Sequence, residues 1–451
     1  MSGYRGTARR RKALPEGEFE AAIVDLAEDG RGVARLEGKV CFIHGALPGE
    51  TVKFRYTRVH RDADEGETTQ VIDASADRVQ PPCAHFGICG GCALQHLAPA
   101  AQIAFKQHQM LEALRRIGKV EPETVADPIT GPTLGYRRRA RLGVKYVDKR
   151  GTTLVGFRER ASPFLAALDT CAVLDPRVGQ RLTAIGRSLS ELTIRRELPQ
   201  IELATAGDGP PDGPVALVLR VLKPPSESDR EQLLQLARDQ GFTLYLQSGG
   251  PGTVAPLTAP APELVYDPDG GTDRLRFLPN DFIQVNAPVS RQAVRQAIQW
   301  LQPTPGAHVL ELFCGLGNFS IPLARHGARV TAVEGDAGLV ERARANAQVT
   351  GVEVEFHTSD LFQPRPDAPW RQGPYETVLL DPPRAGAEAM IPVIGALQPA
   401  RIVYVSCHPG TLARDAGVLV HEHGYRLTRA GVMDMFPHTT HVESMALFER
   451  S

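Results

Sequence analysis

The chain has 451 residues, 42% hydrophobic and 23% charged, with 51 Lys and Arg against 52 Asp and Glu for a formal net charge of -1. At ~150 residues per domain this predicts about three globular domains, excludes a uniformly basic nucleic-acid binder, and leaves any RNA contact to local clusters. No stretch approaches the ~20 apolar residues of a membrane span, and the start, with Arg5, Arg9, Arg10, Arg11 and Lys12, lacks the apolar run of a secretion signal. A cytoplasmic protein with reduced thiols is expected, its seven cysteines serving as ligands or nucleophiles rather than disulfides.

In chain order, residues 1–13 read as a basic, flexible arm. Short β-like runs recur at 19–26, 32–36, 40–43, 51–56 and 69–72, punctuated by glycines and Pro48, which predicts a small all-β barrel over residues 14–75. Residues 81–96 concentrate cysteines and glycines, and a helical pattern follows at 101–117. Strand-like runs at 137–147 and 153–157 and a helix at 229–239 give residues 76–275 a mixed α/β character, with the Gly, Pro and Ala-rich segment 247–262 read as loop. Over 276–451 apolar strands at 309–312, 330–333, 354–357, 377–380 and 402–405 alternate with helices at 319–325 and 338–348. That alternation predicts an α/β, Rossmann-like doubly wound sheet with its ligand at the carboxyl ends of the strands.

The first of these strands runs into Glu311-Leu312-Phe313-Cys314-Gly315-Leu316-Gly317-Asn318-Phe319. Glycines just past a strand let the backbone turn tightly and approach a ligand closely, although one Gly-x-Gly turn is as often structural. The next strand ends at Glu334, 19 residues beyond Gly315, where a carboxylate can accept ribose hydroxyl hydrogens. A dinucleotide fingerprint needs glycine at position 320, which is Ser320. With Asp381-Pro382-Pro383 after the fourth strand, the set favours S-adenosylmethionine over NAD, and Asp360 is placed to bond the adenine amino group.

The fourth strand delivers Asp381-Pro382-Pro383-Arg384-Ala385-Gly386 and the fifth Ser406-Cys407-His408-Pro409. Exocyclic-amine methylation uses an aromatic residue after such a double proline to stack on the base. Arg384 stands there instead. Cys407 supplies what methylation of uracil at C5 requires, a thiolate that adds to C6 and makes C5 nucleophilic. The C5 proton must then leave to a general base, for which Glu443 is the candidate and His441 its rival. Asp381 is suited to bond the uracil edge. Taken singly, such a cysteine is more often a small buried hydrophobe, Glu443 a surface carboxylate, and His438 and His441 ordinary loop histidines. Coincidence at adjacent strand ends of one sheet argues otherwise.

Glu311–Phe319, Asp381–Gly386, Ser406–Pro409 and His441–Met445, four motifs in order, resemble those of the RNA uracil-5 methyltransferases, and the similarity extends over nearly the whole chain. The resemblance implies Cys407 as nucleophile, Glu443 as base and Asp381 at the cofactor and uracil site. It also implies cofactor contacts from Phe313, Asn318, Glu334 and Asp360, and from Gln284 within Asn280-Asp281-Phe282-Ile283-Gln284-Val285-Asn286, with Phe282 against the base. His408 departs from the asparagine common in the family, and Asp360 from the asparagine of some members.

Cys83, Cys89 and Cys92, with five and then two residues between neighbours, need a fourth ligand, for which Cys171 is the candidate. Spacing alone permits zinc or a [4Fe-4S] cluster; resemblance to the ribosomal RNA branch implies [4Fe-4S], in a structural role. Residues 14–75 look like a TRAM RNA-binding barrel in which Arg31, Lys53, Arg55, Arg58 and Arg61 can follow phosphates. Phe42, Phe54 and Tyr56 are expected in its core. Arg137, Arg139 and Arg141 fall on one strand face, for phosphates or for solvent. Barrel and cysteines together are similar to the RumA-type branch acting on single-stranded or loop regions of 23S ribosomal RNA. A tRNA uridine is the second candidate, and a non-catalytic ribosome-assembly factor the contrasting one.

Overall fold

The computed structural model describes residues 14–207 and 213–450; the basic arm expected at 1–13 lies outside the described residues. Two compact units emerge, one of residues 14–87, 92–105 and 438–440, the other of 88–91, 106–437 and 441–450.

In the first unit six strands form one sheet in the order Phe19–Ala22, Thr51–Val59, Ala63–Asp73, Lys39–His44, Gly32–Leu36, Asp25–Leu26. Alternate residues Val52 and Phe54 point inward with Ala21, Ile23, Ala34, Cys41 and Ile43 to make its core, the period-two burial a strand imposes. The run expected at 69–72 is the end of the eleven-residue strand Ala63–Asp73. Its first half is acidic and polar, so apolar alternation does not reveal it. Phe54 is core as expected, Tyr56 packs edge-on against it with ring centroids 5.0 Å apart, and Phe42 lies under the Arg31 guanidinium.

The second unit holds two large sheets. A mixed six-stranded sheet runs Val254–Pro256, Phe242–Gln247, Val215–Arg220, Gln200–Thr205, Arg139–Val147, Thr152–Gly156. Helix Glu227–Gln240 starts at a capping box in which the Ser226 and Asp229 side chains each accept from the other's backbone N–H. The segment 247–262, read as loop, contributes the edge strand Val254–Pro256, held by backbone pairing that composition does not announce.

The eight-stranded sheet runs Val354–Thr358, Arg329–Glu334, His308–Leu312, Thr377–Leu380, Arg401–Ser406, Glu443–Arg450, Tyr425–Met433, Thr124–Val125. Its first five strands are parallel, and all four residues of Thr377–Leu380 are buried, as in a sheet covered on both faces. This is the Rossmann-like arrangement expected. Three strands beyond the expectation extend it: Glu443–Arg450 runs antiparallel to Arg401–Ser406, Tyr425–Met433 antiparallel to Glu443–Arg450, and Thr124–Val125 parallel to Tyr425–Met433. Helix Pro99–Ala113 continues into a π-turn, Leu114–Gly118. Gly118 there meets helix Pro409–His423 so closely that a Cβ would lie 2.4 Å from the Ala413 carbonyl oxygen. Among the described residues no helix is long and apolar enough to cross a membrane.

Candidate active site

The carboxyl ends of the parallel strands open into one cavity of about 540 Å³. Strand His308–Leu312 delivers a loop that turns through Phe313 at φ +64°, Gly315 at φ +54° and Gly317 at φ +88°. A left-handed Phe313 costs steric energy that side-chain-free residues avoid. Phe313 N–H donates to the Val333 carbonyl at 2.9 Å, which locks the turn to the neighbouring strand. Gly315 N–H donates to Glu334 Oε2 at 3.1 Å, and Gly335 N–H to Glu334 Oε1 at 2.7 Å. Glu334 is thus oriented at the lip. Asp360 accepts from Phe362 N–H at 2.8 Å in a local turn, and the Phe362 ring tilts against Phe313 at 5.9 Å. Phe313, Asn318, Glu334 and Asp360 all line the cavity, as does Gln284.

Cys407, Asp381 and Glu443 line the same cavity. Asp381 follows Leu380, whose neighbours in register are Leu312 and Tyr404. Strands Arg401–Ser406 and Glu443–Arg450 run antiparallel with Ser406 opposite Ser444, so the next pair outward is Cys407 and Glu443. Pairing register, not sequence proximity, makes these two neighbours.

The electrostatics follow from burial. The Asp381 carboxyl is pushed up to about 8 by desolvation and by the Glu443 charge. Burial also raises Glu443, against the opposing effect of His441, whose Nε2 lies 3.1 Å from Glu443 Oε1, and of Lys106. The Cys407 thiol is pushed up to about 11, first by burial and then by Glu443 and Asp381. Below the loop, Ser320 Oγ donates to the buried Glu311, whose carboxyl desolvation pushes up to about 8. His408 keeps the capping role an asparagine would have: its Nδ1 accepts from Thr411 N–H at 3.3 Å at the start of helix Pro409–His423.

The structure adds Tyr266, which no local motif announces, and brings in Phe282 and His441 as the motifs lead one to expect. Tyr266, at the end of the short strand Leu264–Tyr266, lines the cavity and its hydroxyl donates to Asn318 Oδ1 at 3.3 Å. Phe282 lies 68% exposed along the cavity, and Phe436 and His441 line it too. His438 belongs to the first unit, where its ring meets Gln102 Nε2 at 3.2 Å.

Among the other expected clusters, some basic residues are paired within the protein and others stay exposed. Arg139 pairs with Glu202 at 2.9 Å and donates to the Leu203 and Pro279 carbonyls, so it is a structural strut rather than part of a phosphate-binding face. Arg138 is buried with Nε on the Gln284 carbonyl at 2.7 Å. In the first unit Arg31, Arg55 and Arg58 face Asp29 or Glu65, Glu18 and Glu65 respectively, whereas Arg61 is almost fully exposed. Cys83 and Cys92 lie in the first unit; Cys89 and Cys171, in the second, pack against the core of the six-stranded sheet. Among the described residues no group of three or more His, Cys, Asp or Glu is placed to hold a metal ion. The iron–sulfur expectation therefore rests on cysteine spacing and resemblance.

Comparison with known proteins bears on this geometry. The profile of the tRNA (Uracil-5-)-methyltransferase family matches residues 269–356 and 369–451, and that of the TRAM domain residues 17–67. A protein of Alkalilimnicola ehrlichii named 23S rRNA (uracil(1939)-C(5))-methyltransferase RlmD is 50% identical, over 98% of this chain and 99% of its own length. The protein of the same name from Methylococcus capsulatus is 48% identical, over 99% of this chain and 100% of its own. The fold is shared with the Pyrococcus abyssi tRNA (uracil-54, C5)-methyltransferase crystallised with S-adenosyl-L-homocysteine, at a TM-score of 0.70 and 24% identity over 95% of this chain and 100% of that one. With relatives this similar along its whole length, the chain belongs to the RNA uracil-5 methyltransferase family, alongside those named 23S rRNA (uracil(1939)-C(5))-methyltransferase RlmD.

Proposed function

We propose that this enzyme transfers a methyl group from S-adenosylmethionine to C5 of a uridine in 23S ribosomal RNA through a covalent Cys407 adduct. The observation that carries the reading is a single cavity lined by the Phe313–Phe319 loop, Glu334 and Asp360 and also by Asp381, Cys407 and Glu443. The cavity fits the cofactor: Glu334 at the strand end suits ribose hydroxyls, Asp360 the adenine, Phe313 an apolar face, and Asn318, Gln284 and Asp381 the remaining polar groups. When bound, S-adenosylmethionine supplies an electrophilic methyl group.

Cys407 adds to C6 of the uracil as its thiolate. The Sγ–C6 bond forms as the C5=C6 π bond opens, and its electron pair passes to C5 and the C4 carbonyl oxygen as an enolate, which makes C5 nucleophilic. Asp381, held largely protonated by burial, hydrogen-bonds the uracil edge. Once C5 carries its methyl group, Glu443 takes the C5 proton, the C5=C6 bond re-forms and Sγ leaves. Since a base inside a stack cannot reach Cys407, the target is a loop or single-stranded uridine. The TRAM domain in residues 14–75 holds RNA, residues 76–275 carry the cysteine insert, and residues 276–451 perform the chemistry in the cytoplasm, where the substrate is.

Cys83, Cys89, Cys92 and Cys171 are proposed to carry a structural [4Fe-4S] cluster, supported by their spacing and the family resemblance; no step of the reaction uses it. Stoichiometric iron and sulfide in anaerobically purified protein is the expected result, and colourless zinc-bearing protein the contrary one.

The reaction is tested by methyl transfer to 23S ribosomal RNA and to tRNA transcripts, with the modified base mapped. Product at C5 of one ribosomal uridine, first sought at the position named for the relatives, supports the reading. Methylation confined to tRNA moves the substrate, and absence of transfer to either favours the assembly-factor alternative.

A further inference from the structure

We infer that His441 is a positioning residue for this reaction: its imidazole holds Glu443 by Oε1 as a carboxylate, leaving Oε2 to the C5 proton. The inference rests on the reading of Glu443 as the base.

A base buried in an apolar cavity faces a conflict. Its side chain is 9% exposed, which shields the reacting carbon from water but favours the neutral form that accepts no proton. His441 answers it. Nε2 lies 3.1 Å from Oε1, and an N–H donated there stabilises the ionised carboxylate. The ring is itself fixed, edge-on to Phe436 with centroids 4.7 Å apart and planes 75° apart.

Phe436 is anchored in turn. Lys106, fully buried, donates from Nζ to the Phe436 carbonyl at 2.9 Å and to Asp434 Oδ1 at 2.6 Å. A buried ion pair adds little stability relative to apolar residues of similar size. Here it ties down the segment that backs His441 and puts a positive charge near Glu443. The other charged or titratable groups facing Glu443 are Asp381 and Cys407, both of which its charge disfavours as anions. Arg384 acts on Cys407 from the opposite side of the ledger.

The step served is the last one. The C5–H bond breaks, its electron pair re-forms C5=C6, the C6–Sγ bond breaks to release the Cys407 thiolate, and the proton passes to Glu443. Without the His441 donor, Glu443 is ionised only at higher pH, so the acid limb of this step moves upward.

The test uses the full-length protein, S-adenosylmethionine and ribosomal RNA carrying tritium at C5 of uridine, with tritium release followed from about pH 6 to about pH 9. His441→Phe keeps a ring but removes the donor. The expected result is an acid limb shifted up by about one unit, a roughly tenfold loss at low pH that recovers at high pH. His441→Gln, which restores an N–H, returns the profile toward that of the parent. The inference is overturned if the His441→Phe profile superimposes on the parent, or if both variants lose activity equally at every pH, as a packing role predicts. Glu443→Gln separates the two readings: release at the parental rate there sinks the base assignment and this inference together.

Discussion

In the protein without RNA, Glu443→Gln is predicted to make the Cys407 thiol more reactive rather than less. Cys407 immediately precedes His408, the cap of the 15-residue helix Pro409–His423. A helix N-terminus favours a thiolate, typically by ~0.3–1 kcal/mol. Burial and the charges of Glu443 and Asp381 win over it, and the thiol is pushed up to about 11. At pH near 7.5 such a thiol is ionised in roughly three molecules per ten thousand. A like charge at close range shifts a group by ~1–3 units. The lower end applies here, because losing the Glu443 charge also lets Asp381 ionise more readily, which offsets part of the relief at Cys407. The expected gain is therefore about tenfold in thiolate. Alkylation by iodoacetamide at fixed pH, followed by mass spectrometry of the Cys407 peptide, measures it. The parental rate should still be climbing near pH 10, well past the ordinary thiol value of ~8.5. A parental plateau near that ordinary value, or an unchanged or slower rate in Glu443→Gln, would refute the electrostatic account.

Four further outcomes follow from the same structure. Cys407→Ala should abolish methyl transfer and any RNA adduct resistant to denaturing gels, with S-adenosylhomocysteine affinity by calorimetry unchanged. Glu443→Gln, given RNA and S-adenosylmethionine, should accumulate that adduct instead, because the thiolate cannot leave until the proton does; an empty gel lane would contradict this. Lys106→Met leaves Asp434 buried and unpaired, a loss of ~3–5 kcal/mol in urea unfolding of which adding Asp434→Leu should recover most. Glu311 is raised to about 8 in the folded state, above its unfolded value. Folding therefore takes up a proton, and the associated stability is present in mild acid and lost as pH rises toward 8. Glu311→Gln should flatten that decline, read as a smaller drop in Tm between about pH 6 and about pH 9; an unchanged slope would remove Glu311 as its source.

Much of the site is legible before folding because its signals are local. Gly315 and Gly317 mark a turn just past an apolar strand, Glu334 closes the next strand, and Pro382 and Pro383 stiffen the loop after Asp381. The parallel strands are equally legible, since strands buried on both faces are continuous apolar runs. Strand Ala63–Asp73 escaped because its polar residues hide the period, and Val254–Pro256 because backbone pairing at an edge needs no side-chain pattern. The arginines at 137–141 show the converse. Arg139 and Arg141 do alternate along strand Arg139–Val147, but the partner that both meet is Glu202 on another strand.

By itself, then, the sequence determines which reactive groups exist and which strand end carries each, because turn chemistry and periodicity act over a few residues. Tertiary structure alone decides which groups meet. Inserting Glu443–Arg450 antiparallel beside Arg401–Ser406 makes Cys407 and Glu443 neighbours. The fold also brings Tyr266 to Asn318 and buries Lys106 against Asp434 beneath Phe436. It sets the protonation of the site as well, since desolvation depends on what closes over a side chain. Neither contact across tens or hundreds of residues nor the loss of water has a local signature, and for this protein both are what turn a cysteine at a strand end into a candidate nucleophile.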